Sequence, residues 1–456
     1  MLQTVELPIW LFVLIVAFAA VTFASHFLFP SVRWFFRRRL ERAVERLNTR
    51  LTRPIEPFKL AARHDMIQRL CYDPQVAEAI VEFARKEKVR EDVAFERARK
   101  YAREIVPSFS AFAYFGFGIR VARFLANFLY TVRTSPNNDK VIASLSKEAT
   151  VVFVMNHRSN MDYLLVTYLA ARSSALSYAV GEWARIWPLS RLIKSMGAYF
   201  IRRKSRGLLY RKVLARYVHM ATTGGVTQAI FPEGGLSLDG KLAPPKMGLL
   251  GYVVEAGRVA EREVVFVPVA INYDRVLEDR VLTAAKNRGD RKFGARISVV
   301  VGFVAINLWR RICGRFLRFG SAAVVFGDPL SMSDYNKADA LDTLAVDLMR
   351  KIEGAMPHLA VPLLAQVLLK SGGAMQLDDL RELAVKHISS DTARFLLAED
   401  ETPEDYVDKA IGQLAQRGVV MNDGNSVQVV AEHSEILQFY ANSIAEDDSR
   451  ISASAK

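Results

Sequence analysis

Two cysteines in 456 residues, Cys71 and Cys313, offer no disulfide framework and no Cys-x-x-Cys pair to hold zinc. A reducing compartment fits that usage. The chain has no glycine-rich loop of the phosphate-cradling or dinucleotide type and no His/Cys/Asp/Glu group at metal-ligand spacing, so neither a bound cofactor nor a metal is expected. Repeats are absent, and low complexity is confined to the last few polar residues. Acidic charge is scarce: 48 Asp and Glu stand against 62 Lys and Arg, a net +14. Apolar residues are plentiful at 51%, which supplies a large core and excludes disorder as the main state.

The basic excess is unevenly placed. From residue 374 onward there are 7 basic and 16 acidic side chains, a balance of −9, so the first 373 residues carry +23. Near the amino terminus, Leu7 to Phe29 is apolar, free of formal charge and long enough for a transmembrane helix. Arg33, Arg37, Arg38, Arg39, Arg42 and further arginines come after it, whereas only Glu6 precedes it. By the positive-inside rule the segment is a single-pass anchor in the cytoplasmic membrane, with everything beyond residue 30 on the cytoplasmic side. A cleaved signal peptide would want a basic start, which is missing. Beside such an anchor, the partner of a basic body is the anionic membrane surface and phosphate-bearing substrates, not nucleic acid.

Four regions are expected: an anchor over 1–30, a basic and amphipathic helical region over 31–135, a catalytic domain over 136–336 and an acidic, mainly helical region over 337–456. Arg37 to Arg50 has helical spacing. Phe109 to Val132, aromatic but interrupted by Arg120 and Arg123, reads as one or two amphipathic helices, either lying on the membrane or packed on the domain. Ile306 to Phe319 has the same two readings. Short β-branched runs at 151–155, 176–180, 198–201, 226–231, 264–271, 297–301 and 322–326 alternate with helical segments. That pattern predicts an α/β fold with a largely parallel sheet flanked by helices. Val419-Val420 and Val427 to Val430 around Asn422-Asp423-Gly424-Asn425 suggest a hairpin in a small helical or winged-helix-like module.

The candidate chemistry lies just beyond the first of these strands. His157 and Asp162 stand in Met155-Asn156-His157-Arg158-Ser159-Asn160-Met161-Asp162. An imidazole titrates near neutrality and suits a general base, and an aspartate on its other nitrogen would orient it and stabilise the imidazolium. Ser159 and Asp162 also have capping-box spacing, so the aspartate could equally start a helix, and both can hold at once. Further along come Gly197 to Arg203, Phe231-Pro232-Glu233-Gly234-Gly235, and Val267-Pro268-Val269 running on to Asn272-Tyr273-Asp274. The expected strands place His157, Arg202 and Glu233 at carboxyl ends, where ligands gather in parallel sheets.

In that order, these segments resemble the glycerolipid acyltransferases. His157-Arg158-Ser159, Phe200-Ile201-Arg202-Arg203, Gly234-Gly235, Pro245-Lys246-x-Gly248 and Ile271-x-Tyr273-x-x-Val276-x-Glu278 look like the glycerol-3-phosphate and dihydroxyacetone-phosphate branch. The likeness is good over about 104 to 335, and Leu437 to Ile444 looks like a late segment of the same branch. It implies transfer of a fatty acyl group from acyl-CoA or acyl-ACP to the sn-1 hydroxyl of glycerol 3-phosphate, with a lyso-lipid as the alternative acceptor. It also implies His157 and Asp162 as catalytic residues, and Arg158, Ser159, Arg202, Glu233, Gly234, Gly235 and Lys246 as substrate-binding. Arg202 would hold the acceptor phosphate and Glu233 the acceptor hydroxyls. Lys246 has two readings, facing a carrier phosphate or standing as a surface lysine. The chain departs from the branch at Leu236-Ser237-Leu238, where arginine, serine and arginine are the pattern. One lost charge-assisted contact is worth about 1.5–3 kcal/mol. Arg158, Lys204, Lys241 and Lys246 are the candidates to replace it.

Overall fold

The computed structural model describes residues 8–170, 174–181, 189–202, 207–289, 318–335 and 340–444, and the single positions 185, 187, 306, 309, 311 and 313. The chain forms two compact units, Met1–Pro54 and Ile55–Lys456. The first holds one helix, Ile9–Asn48, which takes in both the expected anchor and the expected basic helix. Its apolar side chains Ile9, Trp10, Phe12, Leu14 and Phe18 are exposed. Among the described residues no helix is long and apolar enough to cross a membrane. Residues 1–7 and the side chains of 20–37, which include much of the expected anchor, lie outside the described residues.

In the second unit, eight strands among the described residues form one sheet: β1 (Thr131–Thr134), β2 (Thr150–Met155), β3 (Ser177–Val180), β4 (Tyr199–Phe200), β5 (Gln228–Ile230), β6 (Val264–Tyr273), β7 (Ser321–Phe326) and β8 (Leu330–Ser331). The order is β1-β7-β6-β2-β5-β3-β4, with β8 beside β6. From β6 to β4 all pairings are parallel, while β7 and β8 run antiparallel to β6. The largely parallel α/β sheet predicted by the alternating runs is therefore present. Its strands read as unbroken apolar runs because helices cover both faces. Along β2, Val151, Phe153 and Met155 enter one core and Val152 and Val154 the other.

One expectation shifts. The aromatic run is helical over Phe112–Gly118 and Ile119–Leu129 only; Tyr130 turns extended, and Thr131–Thr134, rich in β-branched residues, pairs with β7. Ala122, Ala126 and Leu129 are buried while Phe112, Phe117 and Phe124 stay exposed, so the helices pack on the unit and keep a bare aromatic face. The expected strand at 297–301 and most of 306–319 lie outside the described residues.

The acidic region is helical and contains the expected hairpin, β10 (Val420–Asn422) with β11 (Ser426–Val429). A third strand, β9 (Ala374–Gln376), pairs with β11 just after Gly372-Gly373. The elements run helix Ala360–Lys370, β9, helix Leu377–Ser390, helix Pro403–Gln416, β10, β11, with a four-residue turn of helix at Thr392–Phe395, which is a winged-helix order. This module is not separate in packing. Leu364, Leu368, Leu380 and Ile411 share a hydrophobic cluster with Val267, Val269 and Val324 of the sheet.

Candidate active site

Strand β2 ends at Met155, and the side chain of Asn156 anchors the loop beyond it. Asn156 accepts from the Ile271 amide at 2.8 Å and donates to the Ile271 carbonyl at 2.9 Å, tying the end of β2 to the interior of β6. The loop then turns His157 toward the helix Met161–Leu169. His157 Nδ1 lies 2.9 Å from Asp162 Oδ2, and both side chains are buried.

Asp162 accepts from three more donors. The amides of Arg158 and Ser159 donate to Oδ2 at 2.8 and 3.1 Å, and the Tyr273 hydroxyl donates to Oδ1 at 2.6 Å. Four donors around a fully buried carboxylate occupy its lone pairs and offset the hydrogen bonds lost to water. Burial together with the neighbouring Asp162 charge keeps the Tyr273 phenol well above its ordinary value, so it remains a donor. The aspartate reaches back to amides before its own helix and also meets the histidine, so both sequence readings hold. A carboxylate accepting from Nδ1–H leaves the lone pair on Nε2, and among the described residues that atom has no hydrogen-bond partner. Phe231 stacks on the imidazole at 4.0 Å between ring centroids and Tyr163 meets it edge-on at 5.5 Å.

The third segment braces the first. Glu233 Oε1 accepts from the His157 amide at 2.8 Å and Oε2 from the Ala243 amide at 2.9 Å, while the Ser237 amide donates to the His157 carbonyl at 2.9 Å. Burial raises the Glu233 carboxyl, against the opposing pull of those amides and of the Arg158 charge. Its observed partners are thus backbone amides, one of which seats the loop that carries His157. Gly234 has φ +66°, and a Cβ there would come 2.8 Å from Lys246 Cδ, so the lysine side chain lies over this turn. Gly235 is buried beside it. Glu233→Gln is expected to lower kcat by about 10-fold to 100-fold, because the amide nitrogen presents N–H to one of two backbone donors and unseats His157. Steady-state kinetics with Glu233→Asp as companion checks this.

Ser159 and Arg158 have definite partners. The buried Ser159 hydroxyl donates to Glu278 at 2.8 Å and accepts from the Met161 amide at 3.1 Å. Glu278 also accepts from the Asn160 amide and side chain, at 3.3 and 3.0 Å. Arg158 is 2% exposed. Its Nη2 donates to the Ser443 carbonyl at 3.2 Å, whereas among the described residues Nε and Nη1 have no partner. Each buried unpaired donor costs roughly 1–3 kcal/mol.

Arg202 comes directly after β4 as expected, but the strand order places β4 three strands from β2, about 14 Å at the usual spacing. There its guanidinium makes a bidentate pair with Glu104, at 2.8 and 2.6 Å, and lies over Tyr101 and Tyr210. Burial alone would raise Glu104; Arg202 and Arg185 outweigh it and hold the carboxyl low. Leu236 and Leu238, in place of the two arginines, are partly buried against the core. Of the candidates to replace the missing charge, Lys241 is exposed and Lys204 lies outside the described residues. Sequence reasoning assigned no role to Asn156, Tyr273 or Glu278. Tyr273 and Glu278 stood in the fourth segment, but nothing in a strand-end tyrosine announces a bond to Asp162.

Among the described residues, no group of three or more His, Cys, Asp or Glu could hold a metal. A buried His–Asp pair at the carboxyl end of a parallel strand, with Nε2 unpartnered among the described residues, has the geometry to take up a proton, and comparison with known proteins shows what the chain is similar to. The acyltransferase family matches residues 137–272, and the family described as glycerol-3-phosphate acyltransferase C-terminal region matches residues 310–446. A glycerol-3-phosphate acyltransferase of Aeromonas hydrophila is 31% identical over 282 residues, 61% of this chain and 34% of that protein. One from Pseudomonas fluorescens is 28% identical over 293 residues, 63% of this chain and 34% of that protein. One from Actinobacillus succinogenes is 26% identical over 422 residues, 85% of this chain and 50% of that protein. The chain spans a third to a half of these relatives' length. Over these ranges the chain is similar to glycerol-3-phosphate acyltransferases.

Proposed function

We propose that the chain transfers a fatty acyl group from acyl-CoA or acyl-ACP to the sn-1 hydroxyl of glycerol 3-phosphate, the first step of phospholipid synthesis. The observation that carries this reading is the Asp162-oriented His157 with Nε2 open. The acceptor hydroxyl gives its proton to Nε2 as its oxygen attacks the thioester carbonyl. The new C–O ester bond forms, the C–S bond breaks, and the imidazolium returns the proton to the leaving thiolate. Direct attack is favoured over an acyl-serine, because the Ser159 hydroxyl is bonded to Glu278 and the Met161 amide.

The acceptor phosphate needs cationic partners, and Arg202 takes that role where its fork can leave Glu104, with Lys246 beside Gly234 as a second cation. A lyso-lipid acceptor is the second reading, favoured by the partly buried Leu236 and Leu238 where the family pattern has arginines. Membrane attachment belongs to the same proposal: a single-pass anchor over 7–29, catalytic residues on the cytoplasmic side, and an anionic inner surface facing the exposed Phe112, Phe117 and Phe124 with Arg120 and Arg123.

The test is acyl transfer from labelled palmitoyl-CoA and palmitoyl-ACP, in membranes, to glycerol 3-phosphate and to lysophosphatidate. Glycerol 3-phosphate is expected to be acylated with a KM about 10-fold above that of a relative carrying the arginine, which is the weight of one charge-assisted contact. Product with lysophosphatidate alone transfers the assignment to the second reading, and inactivity with both removes the proposal.

A further inference from the structure

The Arg158 guanidinium forms part of a second cleft, of about 440 Å³, which neither His157 nor Asp162 lines. The cleft lies where the helix Ala360–Lys370 and the segment after the helix Ser434–Ala441 meet the loop around Lys241. Its polar lining includes Lys241 and Lys370 at the rim, Gln366, and Ser443; Glu353 is its one acid among the described residues. Gln366 faces inward carbonyls, donating to Ala441 and Ile444 at 3.0 and 3.3 Å. Arg158 is only 2% exposed, yet among the described residues two of its three nitrogens lack a partner, and the buried Ser443 hydroxyl lacks one too.

Unpaired donors of this kind are rare in a native interior unless something occupies the space before them. An arginine fork matches an oxyanion such as a phosphate, and the Ser443 hydroxyl, which also lines the cleft, can donate to the same group. The volume falls within the range of small-molecule sites. We propose that this cleft binds a phosphate-bearing small molecule at a site distinct from the acceptor site. The same residue that would grip it contributes its backbone amide to Asp162 at 2.8 Å, so occupancy is one peptide away from the His157–Asp162 contact. That coupling to catalysis rests on the proposed acyl transfer; the binding does not.

Thermal-shift titration of the full chain in detergent, with inorganic phosphate and with pyrophosphate at constant ionic strength, tests the binding. A saturable rise in Tm is expected, lost in Arg158→Gln and shifted to at least about 10-fold higher ligand in the rim double variant Lys241→Gln with Lys370→Gln. It is expected to persist in Arg202→Gln, which removes the acceptor-side arginine instead. The double variant changes only exposed side chains, so it decides the matter if Arg158→Gln does not fold. A flat titration in the wild type overturns the proposal, as does a response unchanged by the rim substitutions. Loss in Arg202→Gln with retention in the rim variant overturns it as well, by assigning the anion to the acceptor site. Because the readout is binding, an inactive protein that still binds phosphate separates failure of the reaction from failure of this site.

Discussion

Asp162→Asn lowers kcat by about 10³-fold or more while the protein stays folded. Asparagine can keep its carbonyl oxygen where Oδ2 now accepts from Nδ1 and from the amides of Arg158 and Ser159. Its nitrogen then faces the Tyr273 hydroxyl, which can rotate from donor to acceptor. The geometry survives and the negative charge does not. On the proposed mechanism, what is lost is the stabilisation of the imidazolium that forms when His157 takes the acceptor's proton. His157→Ala falls at least as far, and the double variant falls no further, since the two residues act as one unit. Tyr273→Phe removes one of four donors and is expected to cost about 10-fold, measured beside Asp162→Asn in the same assay with Tm as the folding control. An Asp162→Asn protein within 10-fold of wild type would remove the charge from the mechanism.

Gly240→Ala has the largest expected effect on stability. Gly240 has φ +84°, and a Cβ would sit 1.8 Å from the carbonyl oxygen of Phe439, a backbone atom that cannot swing aside. The helix Ser434–Ala441 must then lift from the 239–240 turn. That helix carries Tyr440, whose hydroxyl accepts from the Val276 amide at 3.0 Å and reaches Asp279 at 2.5 Å, and the neighbouring Asn442 donates to the Asp239 carbonyl at 2.8 Å. Loss of about 3 kcal/mol or more is expected, seen as a lower Tm and as faster proteolysis beyond residue 430. Gly412→Ala is the opposite case. It lies inside the helix Pro403–Gln416 with nothing within 4 Å of the added methyl, so helix propensity raises stability by up to about 1 kcal/mol. Equal effects at the two positions would contradict the packing of the helix Ser434–Ala441 on the 239–240 turn.

The late segment Leu437 to Ile444 looked like part of the family pattern with no chemistry of its own. Its contacts give the reason: Tyr440, Asn442 and Ser443 meet loops that lie beyond β6, β5 and β2. The acidic helical region is therefore physically joined to the site, a relation invisible in a composition shift at residue 374.

β2 and β6 were legible because buried parallel strands are long β-branched runs that few other structures require. β1 was not, since four residues after an amphipathic helix carry too little pattern to separate strand from helix. His157 and Asp162 were legible together because five residues across a helix start bring two side chains within reach whatever the rest of the chain does. Glu233 was legible as a site residue but not as a brace, because its partners are backbone amides, which every residue offers equally.

The sequence by itself determined the layer architecture and the histidine–aspartate pair, since both depend on local period and on short spacings along one segment. Tertiary structure decided the rest. Strand order brought β5, β2 and β6 side by side, so that Glu233, His157 and Tyr273 converge while Arg202 sits three strands away. It also turned Arg158 into a cleft shared with a helix almost three hundred positions later. Contacts between residues far apart in the chain depend on which strands pair, and pairing is fixed by the burial of both sheet faces at once, which no single segment encodes.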